Sequence, residues 1–262
     1  MDIRCSKKIQ SDKIMKITVG IPAYNEEKNI AKIISQIKEI TPSIIVCDDH
    51  STDETNKIVK SLGVDVITHQ NNMGYGSAIK SIFAKAKEID SDVLVTMDAD
   101  GQHRIEDLKK ILKPVLSGTV DVCIGSRFLE KNVENVPSYR KVGIKVLTKL
   151  TNVSLKESIT DSQSGFRAYG KKAISEIIPT DSGMGISNEI LLKASNLNLT
   201  IGEVPIVVLY QGDTSTHNPI SHGTSVFAST LKFIAIEHPL QFFVFPGVLI
   251  LLLGLSFVLL QM

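Results

Sequence analysis

The chain has 262 residues, enough for one large domain or two small ones around a buried core, and its 43% hydrophobic and 22% charged residues exclude disorder, collagen and a disulfide scaffold. The net charge is +1, so there is no broad basic field to gather a polyanion and no nucleic-acid partner is expected. All 29 basic and 28 acidic residues precede residue 239, so a polar body is followed by an uncharged apolar tail.

In chain order, residues 1–15 read as an N-terminal extension. The opening MDIRCSKKIQSDKIMK is charged throughout and lacks an apolar h-region, so it is not a secretory signal and the body is expected in the cytoplasm. Lys16 to Pro22, Ser43 to Asp48, Val64 to Thr68, Asp92 to Met97 and Val120 to Gly125 are apolar runs of strand length, rich in Ile and Val. Between them Ile30, Ile33, Ile34 and Ile37 fall on one face of a helix, as do Ile105, Leu108, Ile111 and Leu112. Asp53 with Thr55, and Ser77, supply helix starts. The alternation predicts an α/β domain with a mainly parallel sheet, spanning residues 16–222, whose ligand crevice lies beyond the carboxyl ends of its strands. Cys5, Cys47 and Cys123 have no metal-binding spacing, and the last two sit in strand-like runs, as buried thiols in a reducing compartment would.

Beyond residue 222, Val226, Phe227, Leu231, Phe233, Ile234 and Ile236 with Lys232 and Glu237 suit an amphipathic interface helix over 223–238. Packing of that helix on the body is the alternative. Residues 239–262 contain Pro239 to Leu260, a run without charge that as a single helix would measure about 33 Å and is predicted to cross a membrane.

Five predicted strands run into five polar loops: PAYNEE after the first, DDHSTD after the second, NNMGYG after the third, DADGQH after the fourth and GSR after the fifth. A single acidic loop is commonly a helix cap. Five at successive strand ends describe one crevice. Asp98 and Asp100, one residue apart in an extended segment, project to the same side and can share a cation, with Gln102 continuing the alternation. Oxygen donors select Mg²⁺ or Mn²⁺, which commonly bridge to substrate phosphates. An EF-hand is excluded because the closing position holds Lys109, a glycosidase pair needs carboxylates on opposite sides of the sugar bond, and neither G-x-G-x-x-G nor a Walker A sequence follows a strand.

IPAYNEEKNI (Ile21 to Ile30), CDDHSTDET (Cys47 to Thr55), NNMGYGSAI (Asn71 to Ile79), MDADGQH (Met97 to His103), GSRF (Gly125 to Phe128), VPSYRK (Val136 to Lys141) and DSQSGFRAY (Asp161 to Tyr169) together resemble the ordered motifs of family 2 glycosyltransferases. Within that family they resemble the polyprenyl-phosphate sugar synthases of the dolichyl-phosphate mannose synthase type, over residues 16 to 210, and the tail is similar to that of archaeal-type membrane-anchored members.

The resemblance implies a GT-A-like nucleotide-sugar glycosyltransferase fold, with a C-terminal amphipathic helix and one transmembrane helix. It also implies roles. Pro22, Tyr24, Glu26, Asp49, Asp98, Ala99 and the backbone at Cys47 would hold the nucleotide. Asp98, Asp100 and Gln102 would hold Mg²⁺ or Mn²⁺ against the donor diphosphate, and Arg127, Arg140 and Ser164 would meet the acceptor phosphate, with Gly165 shaping the floor. Glu189 sits where members carry an acidic residue near the active site, and with Asp98, Asp100 and Arg127 it completes the implied catalytic set.

An acceptor phosphate with a second pKa near about 6 is largely ionised at neutral pH and needs positioning more than a general base. Arginine forks supply that positioning. One departure stands out. Where mannose synthases carry basic residues after a strand over Glu203 to Tyr210, residues 211–223 hold no Arg or Lys, only His217 and His222. This favours UDP-linked glucose or N-acetylglucosamine over GDP-mannose. The expected activity is transfer of one sugar to dolichyl or polyprenyl phosphate at the cytoplasmic face of a membrane. The rival readings are a mannosyl donor, a diphosphate-linked glycan or a protein as acceptor, and a membrane-tethered nucleotide-sugar binder without turnover.

Overall fold

The computed structural model describes residues 15–129, 138–209 (side chains from 141), 227–228, 231–232, 235 and 240–260. Residues 1–14 of the predicted extension over 1–15, the loop at 211–223 with His217 and His222, and most of the predicted interface helix lie outside the described residues.

In chain order the elements are β1 (Ile17–Ala23), α1 (Ile30–Lys38), β2 (Ser43–Asp48), α2 (Thr55–Ser61), β3 (Asp65–Thr68), α3 (Tyr75–Glu88), β4 (Val93–Thr96), α4 (Asp107–Leu116), β5 (Val122–Ser126), α5 (Ser138–Asn152), β6 (Arg167–Gly170), α6 (Lys171–Glu176), α7 (Ile186–Asn196) and β7 (Ile201–Pro205). They form one seven-stranded sheet in the order β3-β2-β1-β4-β6-β5-β7. All five predicted strands are present, within a residue or two at each end. Strand side chains alternate between two apolar layers, as the pleat requires. Ile44 and Val46 pack with Ile30, Ile33, Ile34 and Ile37 of α1 and Leu108 and Ile111 of α4, while Ile45 and Cys47 pack with Ile79, Ile82 and Phe83 of α3 and Ile190 of α7. The strand β3 departs from full burial because it is the outermost strand of the sheet among the described residues.

Two differences matter for the site. The strand expected over Glu203 to Tyr210 forms earlier, as Ile201–Pro205, with only an isolated bridge from Val208 to His103 beyond it. The sheet also contains a strand that the apolar pattern does not announce. β6 is inserted antiparallel between β4 and β5, with Arg167 opposite both Thr96 and Ile124. Because β6 runs backwards, its entry segment, Asp161 to Phe166, arrives at the same end of the sheet as the carboxyl ends of β4 and β5.

The tail forms a π-helical segment, Leu240–Val244, followed by α8 (Phe245–Leu260). Pro246, which has no N–H to donate, falls at the second position of α8, directly after the π-helical segment. The expected single helix over Pro239 to Leu260 is thus divided. Among the described residues no helix is long and apolar enough to cross a membrane.

Candidate active site

The loops after β1 and β2 are laced into one floor. Asn25 takes up a left-handed conformation (φ 57°) that its short polar side chain tolerates, and its Oδ1 accepts the N–H of Thr52 at 2.8 Å. The N–H of Glu26 donates to Thr55 Oγ1 at 2.8 Å and that of Glu27 to Asp53 Oδ2 at 3.2 Å. Pro22 is buried at the end of β1, and Tyr24 is exposed at the rim.

Asp49 is buried, and its carboxylate is occupied by the chain itself. It accepts from the backbone N–H of Met73 (2.9 Å) and of Gly74 (2.8 Å) and pairs with His69 Nδ1 at 2.6 Å. The structure therefore gives Asp49 a bracing task, tying β2 to the start of α3. His69 in turn meets Ser81 Oγ at 2.9 Å and Cys47 Sγ at 3.4 Å. Burial and the neighbouring Asp49 charge push the Cys47 thiol up to about 12, and burial pushes Cys123 to about 12, so both are inert structural thiols.

Gly74 (φ 91°) enters α3 in a conformation only glycine adopts freely, and a Cβ there would meet Ser182 O at 2.7 Å. The next residue, Tyr75, donates its hydroxyl to Asp98 Oδ1 at 3.2 Å. Burial and the Asp98 charge hold the Tyr75 phenol well above its usual range, so it keeps its proton for that bond.

Asp98, Ala99 and Asp100 follow β4. Ala99 is buried between the two half-buried acids. The two acids are driven apart. Burial alone would raise Asp98, but the hydrogen bond and charge of His103, then Tyr75 and Arg127, bring it below its ordinary range. Asp100 is raised by burial and by the Asp98 charge. Glu26, across the floor, is raised by burial and by the charges of Asp100 and Asp98, although Asn29 hydrogen-bonds to it. Gln102 braces Asp100 through its backbone N–H at 3.0 Å.

His103 places Nε2 3.7 Å from Asp98 Oδ2 and stacks on Phe166 with ring centroids 5.0 Å apart. Neither His69 nor His103 stands out in the sequence. The available signal was position, since each directly follows a strand end or its acidic loop.

The segment before β6 closes the site. Thr96 Oγ1 donates to Gly165 O at 2.8 Å, and a Cβ at Gly165 would stand 2.7 and 2.9 Å from the Asp98 carboxylate oxygens and 2.8 Å from the Tyr75 hydroxyl. Gly165→Ala is expected to displace Asp98 and lower turnover about 100-fold while the fold is retained; steady-state kinetics beside a thermal melt check this.

Ser164 is buried, and its Oγ has no partner among the described residues. Arg127, after β5, is clamped by Asp161, with Nε to Oδ2 at 2.6 Å and Nη2 to Oδ1 at 2.8 Å. Asp161 is in turn fixed by its N–H to Glu203 Oε1 at 3.0 Å. Arg140 lies in the first turn of α5, and its side chain is outside the described residues.

Glu189 is not brought into this cluster. Its carboxylate accepts the N–H groups of Thr180 and Asp181 and the Thr180 hydroxyl, and it pairs with Lys193 Nζ at 2.6 Å. Burial alone would raise it, but Lys193 and Thr180 hold it below its ordinary range. It anchors the 180–183 loop on which Gly74 and Gly76 pack, a positioning task.

The donor set fits a divalent ion. Asp98 and Asp100, with Glu26 across the floor, form a like-charged group whose repulsion a cation would relieve. Among the described residues no three His, Cys, Asp or Glu side chains form a ready-made cage. That suits Mg²⁺ or Mn²⁺ held by one or two carboxylates together with substrate phosphate and water.

A mainly parallel α/β sheet with a D-x-D pair at the end of its fourth strand, facing loops from the neighbouring strands, defines a GT-A-like glycosyltransferase domain. Residues 18–178 match the family described as Glycosyl transferase family 2. The chain belongs to that family and is a glycosyltransferase.

Similar proteins include a UDP-N-acetylglucosamine–dolichyl-phosphate N-acetylglucosaminyltransferase of Methanococcus voltae (35% identical, covering 79% of this chain and 88% of that one). A dolichol-phosphate mannosyltransferase of Pyrococcus furiosus is 35% identical over 68% of this chain and 53% of its own. Among solved structures, glucosyl-3-phosphoglycerate synthase from Mycobacterium tuberculosis with Mn²⁺, UDP and glucosyl-3-phosphoglycerate shares the fold at TM-score 0.62 and 19% identity, covering 84% of this chain and 80% of that one.

Proposed function

We propose that this chain transfers a single sugar from a nucleotide sugar to dolichyl or polyprenyl phosphate, with UDP-linked glucose or N-acetylglucosamine as donor. The observation that carries the reading is the Asp98–Asp100 pair, with Asp98 packed on the bare backbone of Gly165 and the pair enclosed by Tyr75, His103 and the Asp161-held Arg127.

In this reading Asp98 and Asp100 hold the divalent ion, which offsets charge developing on the leaving nucleoside diphosphate. Tyr75 and His103 orient Asp98. Arg127, presented by Asp161, and Arg140 face the acceptor phosphate, already ionised at neutral pH. No general base is required, which agrees with Glu189 being occupied elsewhere. In-line displacement by the phosphate inverts the anomeric carbon.

The resemblance of the Methanococcus voltae relative, together with the absence of Arg and Lys from residues 211–223, supports a UDP-sugar. The Pyrococcus furiosus relative favours the second reading, mannosyl transfer from GDP-mannose.

The tail is proposed as the membrane anchor, with the catalytic domain on the cytoplasmic side. Leu240, Phe243, Val248 and Ile250 to Leu253 are exposed apolar side chains on a stretch without charge, which water disfavours and lipid accepts. The buried free thiols Cys47 and Cys123 suit a reducing compartment.

Melting temperatures measured with UDP, GDP and CMP sugars and Mn²⁺ test the donor. Selective stabilisation by a UDP-sugar is expected, and selective stabilisation by GDP-mannose would move the assignment to the second reading. Acceptor competition tests the rest: a lipid monophosphate that fails to block transfer to other acceptors would refute the proposed acceptor.

A further inference from the structure

Helix α5 carries Arg140, Lys141, Lys145 and Lys149 and no Asp or Glu among its 15 residues. Its inner face is packed, with Leu147, Thr148 and Thr151 buried. Its outer face is of a different kind. Val142, Val146 and, just past the helix, Val153 are 62%, 50% and 70% exposed, and Lys145 and Lys149 are exposed beside them.

At 3.6 residues per turn, Val142, Val146, Lys149 and Val153 fall within about 60° of one another. The helix therefore presents a narrow apolar stripe edged by cations, with no acid of its own to offset them. A solvated helix face has no need of three bare valines at that spacing, and a face built for a basic or neutral protein partner would not be purely cationic.

We propose that this outer face of α5 lies on the anionic surface of the membrane, as a contact separate from the apolar tail. Charge complementarity selects the occupant: shallow valines enter the headgroup boundary while Lys145 and Lys149 meet lipid phosphates. The inference rests on the proposed lipid acceptor, and it gives that reading a geometric sense. Arg140 falls in the first turn of the same helix, so a helix seated at the headgroups holds the acceptor-binding segment at the depth where a lipid phosphate resides.

The test uses the full-length protein in lipid nanodiscs, with an environment-sensitive fluorophore on Val146→Cys in a Cys5→Ser background and spin-labelled lipid as quencher. Quenching is expected in bilayers containing phosphatidylglycerol and is expected to be much weaker in pure phosphatidylcholine. Lys145→Gln with Lys149→Gln should abolish the difference and raise KM for the lipid acceptor roughly 30-fold in anionic bilayers, at about 1 kcal/mol per cation, with kcat and the donor KM unchanged.

An unquenched fluorophore in both bilayers would overturn the proposal. So would an equal KM change for a short-chain soluble acceptor, or burial of the fluorophore by self-association in lipid-free detergent. Quenching is read without turnover, so a wild-type protein that makes no glycolipid would sink the proposed acceptor and leave this result legible.

Discussion

Asp100→Asn is expected to lower the transfer rate roughly 100- to 1000-fold while raising the melting temperature of the ligand-free protein. The two effects have one cause. Folding places Asp100 in a buried position beside Asp98, and both raise its carboxyl above the ordinary range. A carboxyl whose folded value lies above its unfolded one weakens the fold once pH exceeds the unfolded value, and the penalty fades as pH falls toward the folded value. Asparagine removes the charge, keeps an oxygen for the Gln102 N–H, and makes that contribution independent of pH.

Mn²⁺ with a UDP-sugar should stabilise the wild type and do far less for the variant. Calorimetry in parallel with a transfer assay checks this, and a variant that keeps wild-type transfer, or that Mn²⁺ with a UDP-sugar stabilises as much as the wild type, would remove the carboxylate pair from its role. The trade is the expected one at a site whose charges are arranged for ligand rather than for the fold.

Asp161→Ala is the second large effect, and it acts on stability. Asp161 is fully buried and takes the Nε and Nη2 of Arg127 as well as the N–H groups of Arg127 and Gln163. Removing one partner of a buried pair leaves the other charge without its counterion and costs about 3–5 kcal/mol. The melting temperature should fall by about 2–4 °C for each of those kcal/mol.

Arg127→Met should also destabilise, by leaving Asp161 buried and charged. The double variant should lose less than the sum, since each change removes the other's unpaired charge. Strict additivity in denaturant titration would show that the two groups do not act as a pair. Loss of Arg127 also withdraws one of the charges that lower Asp98, so the clamp reaches the D-x-D pair electrostatically as well as by position.

The residues differ in how openly they state their place. Ile30, Ile33, Ile34 and Ile37 declare a helix face, and the apolar runs ending at Asp48 and Met97 declare strands, because burial on both sides of a sheet demands unbroken hydrophobic stretches. Those strand ends position Asp49, Asp98 and Asp100, so the crevice is readable without coordinates.

β6 is not. It is four residues long, and its first, Arg167, carries a guanidinium that lies fully buried and donates to Ser187 O and Ser162 O at 2.6 and 2.7 Å. Hydrophobic period cannot find a strand that begins with a buried cation. With β6 goes the reversed direction that carries Asp161, Ser164 and Gly165 to the site.

Glu203 is hidden in the same way. It reads as one acid in a strand, yet its carboxylate receives the N–H groups of Thr160 and Asp161. Asp49 and Glu189 show the opposite limit: residue type and position mark them as site groups, but only the hydrogen-bond partners reveal that both brace loops.

The most direct test is mass spectrometry of the lipid extract after the purified full-length protein is incubated with UDP-glucose or UDP-N-acetylglucosamine, Mn²⁺ and dolichyl phosphate. A dolichyl phosphate whose mass is raised by one sugar, formed by the wild type and at least about 100-fold more slowly by Asp100→Asn, is the predicted result. An extract with no glycolipid from any nucleotide sugar, or the same yield from the variant, would contradict the account.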